Sequence, residues 1–552
     1  MREPGLGKNN MGRSSVAILF LVLLCIGAFL TTHLLDSSSN LIPGSSRQGS
    51  TFSAKTSKTP EEPLNRSNKL EFQLNCSLGD ETRICLGSYY PSKFMLQNPD
   101  PSSSTPQSMC PDYFRWIHED LSPWRETGIT EEMVRMAGRT ANFRVVVVNG
   151  TAYLETFDRS FQTRDVFSQW GILQLLRRYP GKIPDLDLMF DCDDSPVVRK
   201  EFHRGPDAPP PPPVFRYCKD DATLDIVFPD WSFWGWAEID TRPWAPLLKE
   251  MKDGNERSKW KDRKPYAYWK GNPHVAEGRV DLLKCNVSDK EDWNARLYVQ
   301  DWNKEQEQGY KESVLADQCV HRHGSIILCS LSRQFIQLYK IYIEGSAWSV
   351  SQKNILACDS VTLLVKPQYH EFFSRGLMPL QHYWPIRADD KCRSIKYAVE
   401  WGNDNEKQAE EIGKAGSSFV QEELKMDYVY DYMFHLLSQY AKLLKYKPSI
   451  PPKAIELCSE SMACPAQALE KKFMMESMVG GPSSEAPCIM PPPYDPAALH
   501  SILEEKQNSI QLVEEWEKQH GDEIPKIRLH ASVPEAHCIT QSKQSFPLNP
   551  LL

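Results

Sequence analysis

Residues 341–365 read IYIEGSAWSVSQKNILACDSVTLLV. The apolar runs Ile341–Ile343 and Val361–Val365 are typical of buried strands, and the amphipathic stretch Lys353–Cys358 between them predicts a helix. A strand, a helix and a second strand in this order predict a parallel crossover unit. The same alternation continues on both sides, so the sequence predicts α/β domains with parallel sheets. The other predicted strands are Arg144–Val148, Leu186–Phe190 and Ala267–Trp269, and the other predicted helices are Phe167–Tyr179, Glu277–Leu283, Lys407–Lys414 and Tyr428–Leu444.

The composition of the whole chain is that of a folded protein. Its 552 residues are 41% hydrophobic and 25% charged, which excludes a chain disordered throughout and leaves room for a large two-domain enzyme. The net charge is −8 and there is no long run of Lys or Arg. Nucleic acid is therefore not an expected partner.

The N-terminus predicts a membrane anchor. Residues 16–35 are largely apolar and follow Arg2, Lys8 and Arg13. This length favours an uncleaved bilayer-spanning helix, whereas the apolar region of a cleaved signal peptide would be shorter. We expect residues 1–15 to be cytoplasmic, residues 36–75 to form a flexible stem, and the remainder to be lumenal. With no Lys-Asp-Glu-Leu signal, the Golgi is favoured over the endoplasmic reticulum.

The polar chemistry of the chain agrees with an oxidising lumen. Fourteen of the 15 cysteines lie beyond residue 35, and no C-x-x-C motif occurs, so disulfides are expected rather than zinc. Their pairing cannot be read from the sequence, although Cys458 and Cys464 are close enough to close a small loop. Chance sequons and free buried thiols are the alternative. The glycosylation sequons begin at Asn65, Asn75, Asn149 and Asn286.

Three carboxylates follow a predicted apolar strand. They are Asp191, Asp193 and Asp194, at the strand end where open α/β sheets bind ligands. One of them could act as a general base for an acceptor hydroxyl. Asp191 and Asp193 also match the Asp-x-Asp pattern that holds a metal on a nucleotide diphosphate. A solvated acidic turn is the alternative.

Two strand-to-helix turns predict phosphate chemistry. Residues 266–285 read YAYWKGNPHVAEGRVDLLKC, and the turn at Lys270, Gly271 and Asn272 precedes a helix that carries Arg279. Backbone N–H groups and two cations there would bind an anion such as a departing diphosphate. In the second turn Glu344 and Gly345 precede a helix that carries Lys353, and Glu344 could accept hydrogen bonds from a ribose. An ordinary turn with surface cations is the alternative.

A tryptophan-rich segment, FPDWSFWGWAEIDTRPW, spans residues 228–244. Trp231, Trp234 and Trp236 could line a groove for a sugar or acceptor, because aromatic rings stack on sugar C–H faces. The alternative is a buried core between domains, since Trp is usually largely buried.

These segments together resemble glycosyltransferase family 90, the Rumi-like group, and in particular its plant-type branch. The resemblance runs from about Cys110 to Cys488. The motifs occur in the family's order: CPDYFRWIHEDL, LMFDCDDSP, YAYWKGNP, IYIEG, AWSVSQKNILACDS, FFSRGLMP and HYWPI.

The resemblance implies a GT-B-like pair of Rossmann-type domains that transfers glucose or xylose from UDP-glucose or UDP-xylose with inversion. The acceptor would be a hydroxyl of a protein or polysaccharide, and no metal or other cofactor would be required. Asp194 would be the catalytic base. The UDP-sugar contacts would be Lys270, Gly271, Asn272, Arg279, Glu344, Gly345, Ser349 and Lys353. The expected divisions are an acceptor domain at 76–244, a donor domain at 245–425, C-terminal helices at 426–490, and a charged helix and tail at 491–552.

Two departures from the family pattern leave alternatives open. Ser346 replaces a usual bulky aromatic residue, and His323–Leu338 interrupts the pattern before the donor strand. We hypothesise that this insert is a retained intron or gene-model error. A non-catalytic carbohydrate-binding or scaffold protein with a degenerate nucleotide site is the alternative function. A GT-A site with Mn²⁺ on Asp191 and Asp193 is the alternative mechanism.

Overall fold

The computed structural model describes Leu74, Cys76, Cys85 and residues 108–310 and 337–522. The predicted anchor, the predicted stem except Leu74, the sequons at Asn65 and Asn75, and residues 323–336 of the insert lie outside the described residues. In the described ranges no helix is both long enough and apolar enough to span a bilayer. The described residues all belong to one compact unit.

Within the described ranges, every strand and helix predicted from the sequence overlaps an element of the structure. The strands are β1 (Phe143–Val148), β2 (Thr151–Thr156), β3 (Leu186–Phe190), β4 (Val214–Arg216), β5 (Lys219–Asp220), β6 (Ile226–Val227), β7 (Lys264–Gly271), β8 (Ala295–Val299), β9 (Gln337–Tyr342), β10 (Val361–Val365), β11 (Tyr369–His370), β12 (Trp384–Ile386) and β13 (Ile455–Leu457). The α-helices are α1 (Trp116–Asp120), α2 (Glu131–Ala137), α3 (Arg164–Arg178), α4 (Trp244–Arg257), α5 (Glu277–Leu282), α6 (Trp302–Glu307), α7 (Ser351–Leu356), α8 (Lys391–Asp404), α9 (Glu406–Ser418), α10 (Met426–Leu443), α11 (Ser459–Ala463), α12 (Ala468–Glu476) and α13 (Pro496–Asp522).

The first sheet has the order β13-β2-β1-β3-β4-β6 and is mixed. Strand β1 is antiparallel to both β2 and β3, whereas β3, β4 and β6 are parallel. The expectation of a parallel sheet is therefore only partly correct here. The reason is the two-residue turn Asn149-Gly150, whose φ angles of 51° and 76° form a tight hairpin that reverses the chain.

The second sheet has the order β12-β10-β9-β7-β8, and every pairing is parallel, as predicted. All five residues of β10 are buried, because helices cover the faces of a parallel sheet. Gln337 and Leu338, the last two residues of the insert, form the start of β9. The end of the insert is therefore part of the central strand of this sheet.

Each sheet has its own hydrophobic core, and we call the sheets with their packed helices the first and second lobes. The chain returns to the first lobe after the second sheet. Helix α10 packs on α3 and β3, and β13 pairs with the edge strand β2. The Tyr440 hydroxyl of α10 donates to the backbone oxygen of Asp187 at 2.8 Å. Much of residues 426–490 therefore belongs to the core of the first lobe.

Buried polar contacts connect the lobes. Strands β5 and β11 form a two-stranded sheet between them. The fully buried carboxylate of Asp120 accepts from Lys219 at 3.2 Å and from Arg375 at 2.6 and 2.8 Å. Lys353 of α7 pairs with Asp230 of the first lobe at 2.9 Å. These contacts hold the two sheets in one fixed arrangement.

Disulfides fasten the N-terminal part of the described chain to its C-terminal part. The pairs are Cys76–Cys464, Cys85–Cys458, Cys110–Cys488 and, within the second lobe, Cys285–Cys392. The expectation of disulfides is confirmed, but the suggested loop between Cys458 and Cys464 is wrong, because each pairs with a distant cysteine. Cys192 and Cys218 are buried free thiols.

Candidate functional site

A cavity of about 270 Å³ opens between the lobes at the carboxyl ends of the parallel strands. The first lobe contributes Arg164, Asp194, Trp231, Trp236, Ile239 and Thr241. The second lobe contributes residues at or after the carboxyl ends of β7, β8 and β9, among them Lys270, Gly271, Asn272, Arg279, Gln300, Gly345 and Ser349. The segments that were predicted to bind ligands because they follow strand ends therefore lie around one cavity.

Asp194 is the carboxylate on the first-lobe side of the cavity. Its side chain is 35% exposed, and Oδ1 accepts a hydrogen bond from Arg164 Nη1 at 2.8 Å. Its Oδ2 accepts no hydrogen bond from the described residues. A carboxylate with one oxygen held and the other open to a cavity can accept a proton from a bound hydroxyl.

Lys270 and Arg279 provide positive charge on the opposite side. Lys270 Nζ pairs with Glu305 Oε1 at 2.8 Å. Arg279 donates to the backbone oxygens of Glu344, Asn272 and Ile343 and to Ser349 Oγ, at 2.8–3.2 Å. These four bonds use four of its five N–H donors, and burial lowers its pKa. The guanidinium thus joins the predicted turns and retains one donor for an anion.

Both turns bring the backbone close to the cavity. A Cβ on Gly271 would lie 2.6 Å from the ring of Trp269, so a larger residue could not occupy this position without displacing the ring. Asn272 Oδ1 accepts from the His274 N–H at 2.9 Å and fixes the first turn. In the second turn, Ser349 Oγ lies 2.9 Å from Ser351 Oγ, next to Gly345.

Glu344 does not line the cavity. Its carboxylate accepts hydrogen bonds from the backbone N–H groups of Gln368 and Tyr369 at 2.8–3.1 Å. Burial raises its pKa to about 7. The carboxylate therefore anchors the loop after β10, and a direct ribose contact stays a prediction.

Lys353 and Trp234 also lie away from the cavity. Lys353 is 2% exposed and donates to Asp230 and Ser232, at 2.9 and 2.8 Å. The Trp234 indole donates to the Tyr430 hydroxyl at 3.0 Å inside the first lobe. Trp231 and Trp236, in contrast, line the cavity with ring centroids 5.1 Å apart. Trp234 therefore fits the interpretation of a buried core, while contact of Trp231 and Trp236 with a sugar or acceptor stays a prediction.

Asp191 and Asp193, the residues of the alternative metal site, have different surroundings. The buried Asp191 carboxylate pairs with Arg216 at 2.5 Å and accepts from the Asp193 N–H at 3.0 Å, while the Asp193 side chain is exposed. Within the described ranges, Cys110, His435 and Cys488 form the one group whose ligand atoms lie close enough for a metal ion. Two of these are joined in a disulfide, so this group does not suit a metal.

Buried polar atoms without a partner in the described residues surround the cavity. Such atoms are costly unless they gain a hydrogen-bond partner such as water. They are Arg164 Nε, Trp231 Nε1, Tyr268 Oη, Gln300 Nε2, Trp348 Nε1 and Asn354 Oδ1.

Two of these residues escaped the sequence analysis although signals existed. Gln300 directly follows β8, so the strand-end rule would have found it. Arg164 is the first residue of α3, where a cation opposes the helix dipole and therefore needs a compensating partner.

Comparison with known proteins identifies the family of the chain. The family model described as Glycosyl transferase family 90 matches residues 105–517. Protein O-glucosyltransferase 1 of Homo sapiens is 26% identical over 358 residues, which cover 64% of this chain and 84% of that protein. O-glucosyltransferase rumi of Drosophila melanogaster is 24% identical over 383 residues, covering 65% and 85%. Protein O-glucosyltransferase 2 of Danio rerio is 24% identical over 377 residues, covering 68% and 71%.

The family match covers most of the chain and includes both sheets and the cavity between them. The curated relatives are named as O-glucosyltransferases. The chain is a glycosyltransferase and belongs to glycosyl transferase family 90.

Proposed function

We propose that the protein transfers glucose from UDP-glucose to a hydroxyl group of a protein acceptor, with inversion and without a metal ion. One observation carries this proposal: Asp194 of the first lobe and Lys270 and Arg279 of the second lobe line the same cavity. The names of the relatives support glucose and a protein acceptor. The two-lobed arrangement supports a GT-B architecture.

In this mechanism the oxygen of the acceptor hydroxyl forms a bond to the anomeric carbon of the sugar. Asp194 Oδ2 accepts the proton that this hydroxyl loses. The bond from that carbon to the diphosphate oxygen breaks, and UDP departs from the opposite face. Lys270 and Arg279 stabilise the negative charge that develops on the diphosphate. The Asp191–Arg216 ion pair argues against the manganese alternative, since the carboxylate already has a buried cation as partner.

We propose the secretory pathway as the compartment. The disulfides of the structure require an oxidising environment, and the apolar N-terminal segment supports a type II membrane protein of the Golgi or endoplasmic reticulum. The partners are then UDP-glucose, a secreted protein and the membrane.

The test uses the purified protein in two assays. Calorimetry with and without EDTA measures the affinity for UDP. Release of UDP from UDP-glucose measures turnover, with either water or disulfide-bonded secreted domains as acceptors. Asp194→Asn should lower turnover by about 10²–10⁴-fold and leave the Kd for UDP within threefold. Asp193→Asn, on the exposed neighbouring carboxylate, is the matched control and should retain turnover.

Unchanged turnover in Asp194→Asn would contradict its role as base. Loss of UDP binding on EDTA treatment would favour the metal mechanism. Failure of the folded protein to bind UDP at all would favour the non-catalytic alternative. Substituting UDP-xylose for UDP-glucose identifies the donor.

A further inference from the structure

Arg164 lies in an unusual position for a cation. It is the first residue of α3, where the helix dipole disfavours positive charge. Its side chain is nevertheless buried, and it lines the cavity beside Asp194. Local electrostatics alone would disfavour an arginine here, so its contacts must account for its stability.

The contacts of Arg164 fix its guanidinium group in place. Nη1 donates to Asp194 Oδ1 at 2.8 Å and to the backbone oxygen of Cys192 at 3.3 Å. The guanidinium group also lies over two aromatic rings. Its central carbon is 4.5 Å from the ring centroid of Trp231 and 5.2 Å from the ring centroid of Phe161. One donor therefore links the carboxylate to the end of β3, while two rings limit rotation of the guanidinium plane.

Asp194 has no other side-chain hydrogen bond in the described part of the chain. Its backbone oxygen accepts from the Cys218 thiol at 3.2 Å, which holds the main chain but leaves the carboxylate free to rotate. The orientation of that carboxylate consequently depends on Arg164. A general base must lie within hydrogen-bond reach of its proton, so a small rotation of the carboxylate would slow the reaction.

We propose that Arg164 is the positioning residue of the catalytic base: it holds Asp194 Oδ1 so that Oδ2 points to the acceptor hydroxyl. This inference rests on the proposed role of Asp194. It assigns Arg164 an effect on turnover and none on donor binding, because the predicted donor cations lie on the other lobe.

Arg164→Met tests this by removing the charge and the donor while keeping much of the side-chain volume. We expect kcat for UDP release from UDP-glucose to fall by about 10–100-fold, with KM and the calorimetric Kd for UDP within twofold of wild type. Arg164→Lys keeps a cation over Trp231 and should recover part of the loss. Arg178→Met, in the same helix but paired with the exposed Asp427, is the matched control and should retain wild-type kcat.

A double-mutant cycle separates positioning from a general structural role. If Arg164 acts through Asp194, adding Arg164→Met to Asp194→Asn should lower the residual turnover by less than threefold, measured with radiolabelled donor. If Arg164→Met lowers the turnover of Asp194→Asn by the same factor as it lowers the turnover of the wild-type protein, the proposal is overturned. Wild-type kcat in Arg164→Met would also overturn it, as would a raised KM with unchanged kcat, which would indicate direct contact with substrate.

The same variants distinguish a failure of the proposed base Asp194 from a failure of the positioning role of Arg164. Full turnover in Asp194→Asn removes the base itself and with it the proposed mechanism. Lost turnover in Asp194→Asn together with full turnover in Arg164→Met rejects the positioning role alone. If Arg164→Met does not fold, Arg164→Ala, which removes the guanidinium group without adding a long apolar side chain, replaces it, and wild-type kcat in that variant would refute the proposal.

Discussion

Replacing Lys353 by methionine distinguishes a donor-binding lysine from a structural one. Lys353 was expected to contact the UDP-sugar, yet its ammonium group donates to Asp230 Oδ2 at 2.9 Å and to Ser232 Oγ at 2.8 Å, and it lies 4.6 Å from the Phe233 ring centroid. Both members of the ion pair are 2% exposed. The structure therefore predicts loss of stability without loss of UDP affinity.

The magnitude follows from what Lys353→Met would leave behind. Removing one partner of a buried ion pair costs about 3–5 kcal/mol, because the other charge stays buried. Asp230 Oδ1 would still accept from the backbone N–H and the hydroxyl of Ser232, so the lower end applies. A loss of about 3 kcal/mol in the free energy of unfolding lowers the melting temperature by about 6 °C, because a protein of this size loses about 2 °C per kcal/mol.

The assay is thermal melting of the purified protein, paired with UDP calorimetry at a temperature where each variant is folded. Lys353→Met combined with Asp230→Asn should recover most of the lost stability, since no unpaired charge remains. Lys252→Met breaks an exposed ion pair with Glu422 and is the matched control, with less than about 1 kcal/mol expected. A wild-type melting temperature with at least tenfold weaker UDP binding would refute this reasoning and support donor contact.

Three further predictions concern other parts of the molecule. Mass spectrometry should find a glycan on Asn149, exposed at the hairpin tip, and none on Asn286, whose side-chain amide bonds to the backbone of β8; a glycan on Asn286 would contradict this fold locally. Burial lowers the pKa of Lys340 to about 7, so between pH 7 and its ordinary value of 10.5 the unfolded chain binds a proton that the folded chain does not. The free energy of unfolding should then rise with pH in that window, by up to about 1.4 kcal/mol per unit, and Lys340→Met should flatten this dependence in denaturant titrations. Replacing Cys285 and Cys392 by alanine opens a link across 107 residues and should cost about 2–5 kcal/mol, so an unchanged melting temperature would show that this bond contributes nothing.

Strand ends carry a local signal, and the sequence could therefore group three residues that line the same cavity. Asp194, Lys270 and Arg279 each follow a recognisable apolar strand, and parallel strands bring their carboxyl ends to one edge. For Glu344 and Lys353 the local signal was weaker, and their partners in the fold are about 25 and 120 residues away in the chain. A buried side chain bonds to whatever the tertiary structure places beside it, so these contacts could not be read locally.

The topology of the first sheet shows the same limit. The strands β1 and β3 were predicted, but the antiparallel order of β1 depends on the turn at Asn149-Gly150, which was read as a glycosylation site rather than a hairpin. The late strand β13 is three residues long and joins the edge of a sheet built some 300 residues earlier. Neither its periodicity nor its length distinguishes it from a loop.

The disulfides that span the first lobe constrain when the protein can mature. Cys76, Cys85 and Cys110 bond to partners 388, 373 and 378 residues later. At a synthesis rate of about 5–20 residues per second, each waits roughly 20–75 s for its partner to be made. Through that interval these thiols are open to incorrect pairing, and correction depends on disulfide exchange. The first lobe can therefore be completed only after nearly the whole chain has entered the oxidising compartment.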